Sequence, residues 1–368
     1  MRNACGLVLV AGLVAGACGG TGVQSIGGSG GPPLGSSGGQ ETGSSGASTG
    51  GSSSGGPVAS GSSGSSGGSG STSGSSSGGG AGASSSGGDA SAPPPQDGGA
   101  IDAGAPCYSE PYDPTANIAD LAAAYSGANW LSSSVAVMQR RYPTGYFVLS
   151  AEQSDPQLPE FVDASSWEAL MSSMMSALDA ETTGWDFANA TATQHPFVIV
   201  STMQITVPAL TTWPQGEVLQ YVTGGATQAY DQTELGGEQG TYDGIFLLDA
   251  VDSSCNGLAA ATAVGDQITL GISARDGVAA NLYYMELYLR AGRVGHPTEY
   301  AGMKADPNWQ KLVRYEWARV NFWDGQAKGN PNLQIAADPI WAEIELPTSL
   351  SEIQLFTGDS PDDVACHP

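Results

Sequence analysis

Four polar side chains stand in otherwise apolar stretches at a spacing that acid–base chemistry can use. Asp249, Asp252 and Asn256 fall at i, i+3 and i+7 and so share one side of a helix. Glu181 follows Trp167 by about four helical turns, which returns it to the apolar side of a helix predicted there. If these carboxylates face one another, they can share a proton, bind a hard cation such as Ca²⁺, or act as acid and base on a glycoside. The alternative is the solvated side of an amphipathic helix, which is the more common arrangement.

The segment around Glu181 reads Ala180-Glu181-Thr182-Thr183-Gly184. It resembles the His-Glu-x-x-His helix of the zincin metallopeptidases, with the glutamate present and both histidines replaced. The family's glutamate is a general base for zinc-bound water, and the resemblance implies that role for Glu181 alone. Because Ala180 and Gly184 occupy the ligand positions, we expect no catalytic zinc there, and no other metal or cofactor.

Other enzyme signatures are missing from the sequence. No two of His195, His296 and His367 have metal-ligand spacing, and the first two precede prolines, which is typical of exposed turns. There is no Gly-x-Ser-x-Gly elbow, Walker A loop or Rossmann fingerprint. The sequence therefore favours a protein without catalytic activity. If the protein is an enzyme, the candidate catalytic residues are Glu181, Asp249 and Asp252.

Net charge and aromatic content indicate which classes of partner the protein can bind. The net charge of −25 argues against nucleic acid as a partner, since phosphate binding needs clustered Lys and Arg. Most tryptophans lie at helical core spacing. Trp213 lies in a predicted turn and is the aromatic residue that we would test for ligand contact.

Four segments have the apolar spacing of long amphipathic helices. They begin at a Ser165–Glu168 capping box, at Tyr242, at Ser273 and at Pro307. The third is apolar around most of its circumference, so we expect it to be buried. Shorter helices are predicted over residues 117–125 and 128–141.

Two segments predict β-structure. Tyr146–Leu149 and Phe197–Val207 are rich in β-branched and aromatic residues. The order of elements is typical of a mainly α or α+β fold rather than a parallel sheet. We expect a single globular domain over residues 106–368, built of amphipathic helices with a small β-sheet.

The N-terminus has the features of an export signal. Arg2 precedes an apolar stretch, Gly6–Ala17, that is too short to span a bilayer, and small residues lead into Cys18. This resembles the lipobox of bacterial lipoproteins, whose cysteine is diacylated and becomes the new N-terminus. The resemblance implies a signal peptide over residues 1–17, a lipidated Cys18 and, without Asp at position 19, an outer-membrane or cell-surface location. The alternative is ordinary cleavage near Ala17 and a soluble secreted protein.

Residues 18–105 are almost entirely Gly, Ser, Ala, Thr and Pro. Such a composition cannot bury enough apolar surface to offset backbone entropy, so we expect a disordered tether. As a flexible coil it spans roughly 50 Å. It would hold the C-terminal domain away from the membrane.

Three cysteines follow the tether. Export to an oxidising compartment predicts one disulfide and one free thiol among Cys107, Cys255 and Cys366. A bridge between Cys107 and Cys366 would join the two ends of the domain, and pairing of Cys255 with either stays open.

These features together favour a lipid-anchored cell-envelope protein that displays an acidic, mostly helical domain for binding or structure. Its expected partners are the membrane, through the lipid, and an envelope protein or glycan. The alternative is a hydrolase, or a hydrolase-derived pseudoenzyme, centred on Glu181.

Overall fold

The computed structural model describes residues 107–268, 272–333 and 337–368. The predicted signal peptide, the lipidated Cys18 and the tether lie outside the described residues. The α-helices, labelled α1 to α12 in chain order, are Ala119–Ala124, Trp130–Arg141, Pro143–Glu152, Trp167–Asn189, Gln228–Glu234, Gly244–Ala263, Arg275–Gly295, Pro297–Ala305, Pro307–Ala327, Ala337–Ile344, Pro347–Thr357 and Pro361–Cys366. The strands are β1, Gln194–Val200, and β2, Met203–Pro208.

The predicted fold class is confirmed. The described residues form a mostly helical domain with a two-stranded antiparallel sheet. Among the described helices, none combines the length and the apolar character that crossing a bilayer requires.

Helix α6 lies at the centre of the domain. It packs against α4, α7, α9 and β1, and its residues are buried along nearly its whole length. A Cβ atom on Gly257 would lie 3.0 Å from the carbonyl oxygen of Met175, so the glycine lets α6 pack closely against α4. The polar side chains of α6 are therefore enclosed by neighbouring elements.

The four long helices predicted from apolar spacing are all present, and side chains cap three of them. The predicted Ser165–Glu168 capping box is wrong, because Ser166 is the cap of α4 and its hydroxyl accepts from the Ala169 amide. The Asp243 carboxylate caps α6, which begins at Gly244 rather than at Tyr242. Asp306 accepts from the first amides of α9, with Pro307 at the first helical position as predicted. At α7 the prediction is wrong by two residues, because Ser273 donates to the Asp276 carboxylate and the helix begins at Arg275. Helix α7 is buried around most of its circumference, as expected.

The hairpin is the one predicted within Phe197–Val207, although β1 begins earlier. His195 pairs with Val207 and Phe197 with Ile205. Because α4 packs against β1, five consecutive residues of the strand are buried. His195 is one of them, so its assignment to an exposed turn is wrong.

The strand predicted at Tyr146–Leu149 is wrong, since these residues lie in α3. Pro143 occupies the first turn of that helix, where its missing amide hydrogen costs nothing. The buried residues Thr144, Gly145, Val148 and Leu149 recur at helical spacing. A four-residue apolar run cannot distinguish a strand from one side of a short buried helix.

A disulfide joins Cys107, the first described residue, to Cys366 near the end of the chain. Cys255 is buried and free on α6, so its pairing with either of the other two is not seen.

We expect reduction of this disulfide to lower the melting temperature of the full chain by several degrees. Closing so long a loop restricts the unfolded chain, and native disulfides typically contribute about 2–4 kcal/mol. Calorimetry of the oxidised and reduced full chain in detergent measures the difference. The Cys107→Ser/Cys366→Ser variant is the control, because its melting temperature should not respond to reductant. Equal melting temperatures for the oxidised and the fully reduced wild type would contradict the prediction.

Candidate functional site

The three polar residues predicted on one side of a helix lie together in the core. Asp249 is 4% exposed, and Asp252 and Asn256 are fully buried, so the interpretation as a solvated side is wrong. The acid that approaches them is Asp186, near the end of α4, whose carboxyl lies within hydrogen-bonding reach of Asp249 and Asp252. We call Asp186, Asp249 and Asp252 the buried acid cluster.

Sequence reasoning did not select Asp186, although a signal was present. Asp179, Thr183 and Asp186 fall at i, i+4 and i+7 on α4. This is nearly the same polar spacing that drew attention to Asp249, Asp252 and Asn256. Two polar stripes on two apolar helices indicate a shared polar seam where the helices pack.

One fully buried guanidinium contacts the buried acid cluster. Arg319 on α9 donates to Asp252, to the Glu110 carboxylate at 2.7 Å and to the Asn256 side-chain oxygen at 2.9 Å. Asn256 also accepts from the Tyr142 hydroxyl at 2.8 Å. These contacts bring the N-terminal segment, α6 and α9 to one point.

The cluster has raised pKa values because burial disfavours the ionised carboxylates. Burial raises the pKa of Asp249 to about 8, against the opposing hydrogen bond from Thr183. Burial raises the pKa of Asp252 only to about 6, since Arg319 stabilises the ionised form of this carboxylate. Burial, together with repulsion from Asp252 and Asp249, raises the pKa of Asp186 well above its ordinary value.

His195 reaches the same cluster from β1. One atom from each of Asp186, His195 and Asp249 lies within 4.8 Å of the other two. Burial lowers the pKa of His195 to about 4, so its imidazole is neutral near pH 7. Two carboxylates and a neutral imidazole are a donor set that metal ions bind.

Glu181 lies on α4 as predicted and is 2% exposed, but the structure does not bring it to Asp249 or Asp252. Residues two apart on a helix point about 200° apart, so Glu181 lies on the opposite side of α4 from Asp179. Its neighbours are Glu152 and Asp155, with one oxygen of each acid within 4.8 Å of the others. Burial, together with repulsion from Asp155 and Glu152, raises the pKa of Glu181 to about 8.

A pocket of about 100 Å³ opens beside the buried acid cluster, between α4, α6 and the start of α7. Three carboxylates line it: Asp179, Glu234 and Asp249. Burial raises the pKa of Asp179 to about 6 and that of Glu234 to about 7. No Lys, Arg or His belongs to the lining that the structure describes. We call this cavity the acidic pocket.

Aromatic rings form one wall of the acidic pocket. Phe246 lies between Tyr242 and Phe187, with ring centroids 4.5 and 4.8 Å away. On its other side, Phe187 packs edge-on against His195 at 4.7 Å. Phe187 therefore contacts both the aromatic wall of the acidic pocket and the imidazole.

Trp213 does not line this pocket, and its ring is buried rather than open to a ligand in a turn. Its ring is 1% exposed and stacks on Tyr288 at 4.4 Å and on His296 at 5.6 Å. His296 in turn contacts the Glu217 carboxylate at 2.9 Å.

The chain matches no protein-family model, no curated protein and no solved structure. The acidic pocket and the buried acid cluster are therefore the features that indicate a function.

We expect the full chain to lose stability as pH rises from about 5 to about 9, and Glu181→Gln to weaken that loss. Glu181 keeps its proton in the fold up to about pH 8, whereas its ordinary pKa of 4.5 applies when the chain is unfolded. Its contribution is complete below the unfolded value and is lost as pH rises through the folded one. For a fully buried group the effect is of the order of a few kcal/mol.

Urea unfolding at several pH values, with a chelator present so that no cation neutralises Glu152 and Asp155, measures this slope. Glu160→Gln, which removes an exposed carboxylate, is the control and should keep the slope of the wild type. Parallel slopes for Glu181→Gln and the wild type would show that the carboxyl does not titrate as described.

Proposed function

We propose that this chain is a lipid-anchored protein of the cell envelope whose helical domain binds ligands that carry a small protonated amine. Anchoring rests on the sequence of residues 1–18, in which an export signal ends at Cys18. Binding rests on the acidic pocket.

The observation that carries the binding proposal is the charge of the acidic pocket. Asp179, Glu234 and Asp249 line it, and no basic side chain of the described lining balances them. A buried carboxylate is unfavourable unless it is paired or protonated. A cationic ligand would supply the missing charge and lower the raised pKa values of Asp179 and Glu234.

The wall and the size of the acidic pocket support the same ligand class. A cation near the rings of Tyr242, Phe246 and Phe187 is attracted by their π faces. A cavity of about 150 Å³ holds benzene, so the 100 Å³ here suits an amine group and a few carbons. The amine can belong to a lysine side chain of an envelope protein or to an amino sugar of a glycan.

We expect amines to raise the melting temperature of the full chain and their neutral analogues to leave it unchanged. The amine probes are Nα-acetyl-lysine amide and glucosamine, and the matched neutral probes carry an acetyl group on the same nitrogen. A response to only one of the amines would assign the source as protein or glycan. If neither amine shifts the melting temperature at any concentration up to the solubility limit, the binding proposal fails.

Glu234→Gln should weaken amine binding by roughly tenfold or more, since a charge-assisted hydrogen bond contributes about 1.5–3 kcal/mol. Glu238→Gln is the matched control, because Glu238 is exposed in the same part of the chain. Isothermal titration with each amine measures both. Equal affinities for the two variants would place binding outside the acidic pocket.

The anchoring proposal makes a separate prediction. Cys18→Ser should move the chain from the membrane fraction to the soluble fraction and remove the mass of the lipid. Cys5→Ser, within the predicted signal peptide, should leave both unchanged. Fractionation and mass spectrometry measure the outcome, and a Cys18→Ser chain that stays in the membrane fraction would contradict lipid anchoring.

A hydrolase or hydrolase-derived pseudoenzyme centred on Glu181 is the second candidate. It is favoured by the raised pKa of Glu181, since a carboxyl that keeps its proton near neutral pH suits general acid catalysis. Its partners would be Glu152 and Asp155, because Asp249 and Asp252 belong to the buried acid cluster on the other side of α4. Hydrolysis of a peptide or glycan library that disappears in Glu181→Gln would favour this candidate.

A further inference from the structure

We propose that Asp186, His195 and Asp249 bind a divalent first-row transition metal, with Zn²⁺ and Mn²⁺ as the best-matched ions. The three residues come from α4, β1 and α6, and one ligand atom of each lies within 4.8 Å of the other two. The site is distinct from the amine-binding function proposed above, although Asp249 also lines the acidic pocket.

The first argument is that three polar atoms at this point lack partners. Apart from the neighbouring carboxyl groups of the cluster, no described residue hydrogen-bonds to Nε2 of His195, Oδ2 of Asp186 or Oδ1 of Asp249. All three residues are at least nine-tenths buried. A buried polar atom without a partner is costly, and native proteins rarely keep one. Three residues that each carry such an atom, and that each place one ligand atom within 4.8 Å of the others, indicate a bound group that all three share.

The second argument is that the other oxygen of each carboxylate is already held. Asp186 accepts from the Val198 amide at 3.1 Å through Oδ1. Asp249 accepts from the Thr183 hydroxyl at 2.8 Å through Oδ2. Metal-binding carboxylates are held in this way by hydrogen bonds from outside the coordination sphere, which fix the direction of the free oxygen.

The charge of the two aspartates also favours a bound cation. Arg319 is the nearby buried cation in the described part of the chain, and its bonds go to Asp252, Glu110 and Asn256. Asp186 and Asp249 therefore have no base of their own. A divalent ion bound between them would balance both.

The ligand atoms of these three residues restrict which metal ions fit the site. Ca²⁺ and Mg²⁺ take oxygen ligands, whereas Zn²⁺ takes imidazole nitrogen together with carboxylate oxygen. Two ligands of one zinc ion lie at most about 4.4 Å apart, twice the metal–ligand distance. The bound of 4.8 Å on the three ligand atoms is close to that limit.

The competing explanation is that protons, not a metal, neutralise the cluster. A proton shared between Asp186 and Asp249 would relieve their repulsion without any ion. The two explanations differ at His195. A metal ion would bind the imidazole nitrogen, whereas a proton shared between the two carboxyl groups would not contact it.

Metal analysis tests the proposal on the full chain, purified in detergent without an affinity tag. The chelator-treated chain is incubated with Zn²⁺, Mn²⁺ or Ca²⁺ alone, desalted and analysed by mass spectrometry of the elements. We expect one equivalent of Zn²⁺ or Mn²⁺ per chain, no retained Ca²⁺, and loss of the metal in Asp186→Asn and His195→Gln. Substoichiometric metal with every ion in the folded wild type overturns the proposal.

Glu286→Gln is the matched control variant. Glu286 is also buried, and neither of its carboxylate oxygens has a partner in the described chain, but it lies on α7 outside the site. It should keep one equivalent of metal. Equal metal contents in folded His195→Gln and the wild type would also overturn the proposal.

A measurement on the wild type covers the case in which the ligand variants do not fold. In the chain labelled with ¹⁵N at histidine, Zn²⁺ should shift the Nε2 resonance of His195 and leave those of His296 and His367 in place. The resonances are assigned with His296→Gln and His367→Gln. A His195 resonance that does not respond to Zn²⁺ is the result expected for shared protons and contradicts metal binding.

Discussion

The buried guanidinium of Arg319 is the interaction on which the arrangement of the core depends. It joins Glu110 in the N-terminal segment, Asp252 and Asn256 on α6, and its own helix α9. Removing one partner of such a pair leaves a buried charge uncompensated, at a cost of about 3–5 kcal/mol. The disulfide between Cys107 and Cys366 holds the same two parts of the chain covalently, because Glu110 follows Cys107 closely and α12 packs on α9. Covalent and ionic links therefore fix the position of α6.

Arg319 cannot balance all of the acids around it. Glu316 is fully buried on α9, and burial with repulsion from Asp252 raises its pKa well above the ordinary value. Asp186 and Asp249 are also buried, and Asp179 and Glu234 line the adjacent pocket. This excess of carboxyl groups must be neutralised by protons or by cations from outside the chain. The amine proposed in the acidic pocket and the metal proposed at Asp186, His195 and Asp249 each answer part of that requirement.

Apolar spacing predicted the helices well because a stripe of large side chains has one stable use, which is to face a core. The same spacing could not place Asp249, Asp252 and Asn256. A polar stripe beside an apolar one has the same pattern whether water or another helix covers it. The partners that decide between the two cases are distant in sequence. Asp186 is 63 positions from Asp249, and Arg319 is 67 positions from Asp252. A local sequence pattern cannot reveal contacts over such separations. His195 was misplaced for a related reason, since a histidine before proline is typical of a turn and only packing against α4 shows that it belongs to a buried strand.

The resemblance to a zincin helix takes a different meaning once α4 is placed. Its glutamate, Glu181, faces Glu152 and Asp155, whereas Asp186 faces α6 from the other side of the same helix. Ala180 and Gly184 cannot bind a metal through their side chains, so metal chemistry near α4 must use ligands from elsewhere. The structure offers one imidazole for that purpose, His195 of β1, and it approaches Asp186 rather than Glu181. A metal bound there would therefore be out of reach of Glu181 as a general base, because the body of α4 separates the two. The proposed hydrolysis by Glu181 and the proposed metal binding at His195 would thus be independent of each other, and the loss of one should leave the other intact.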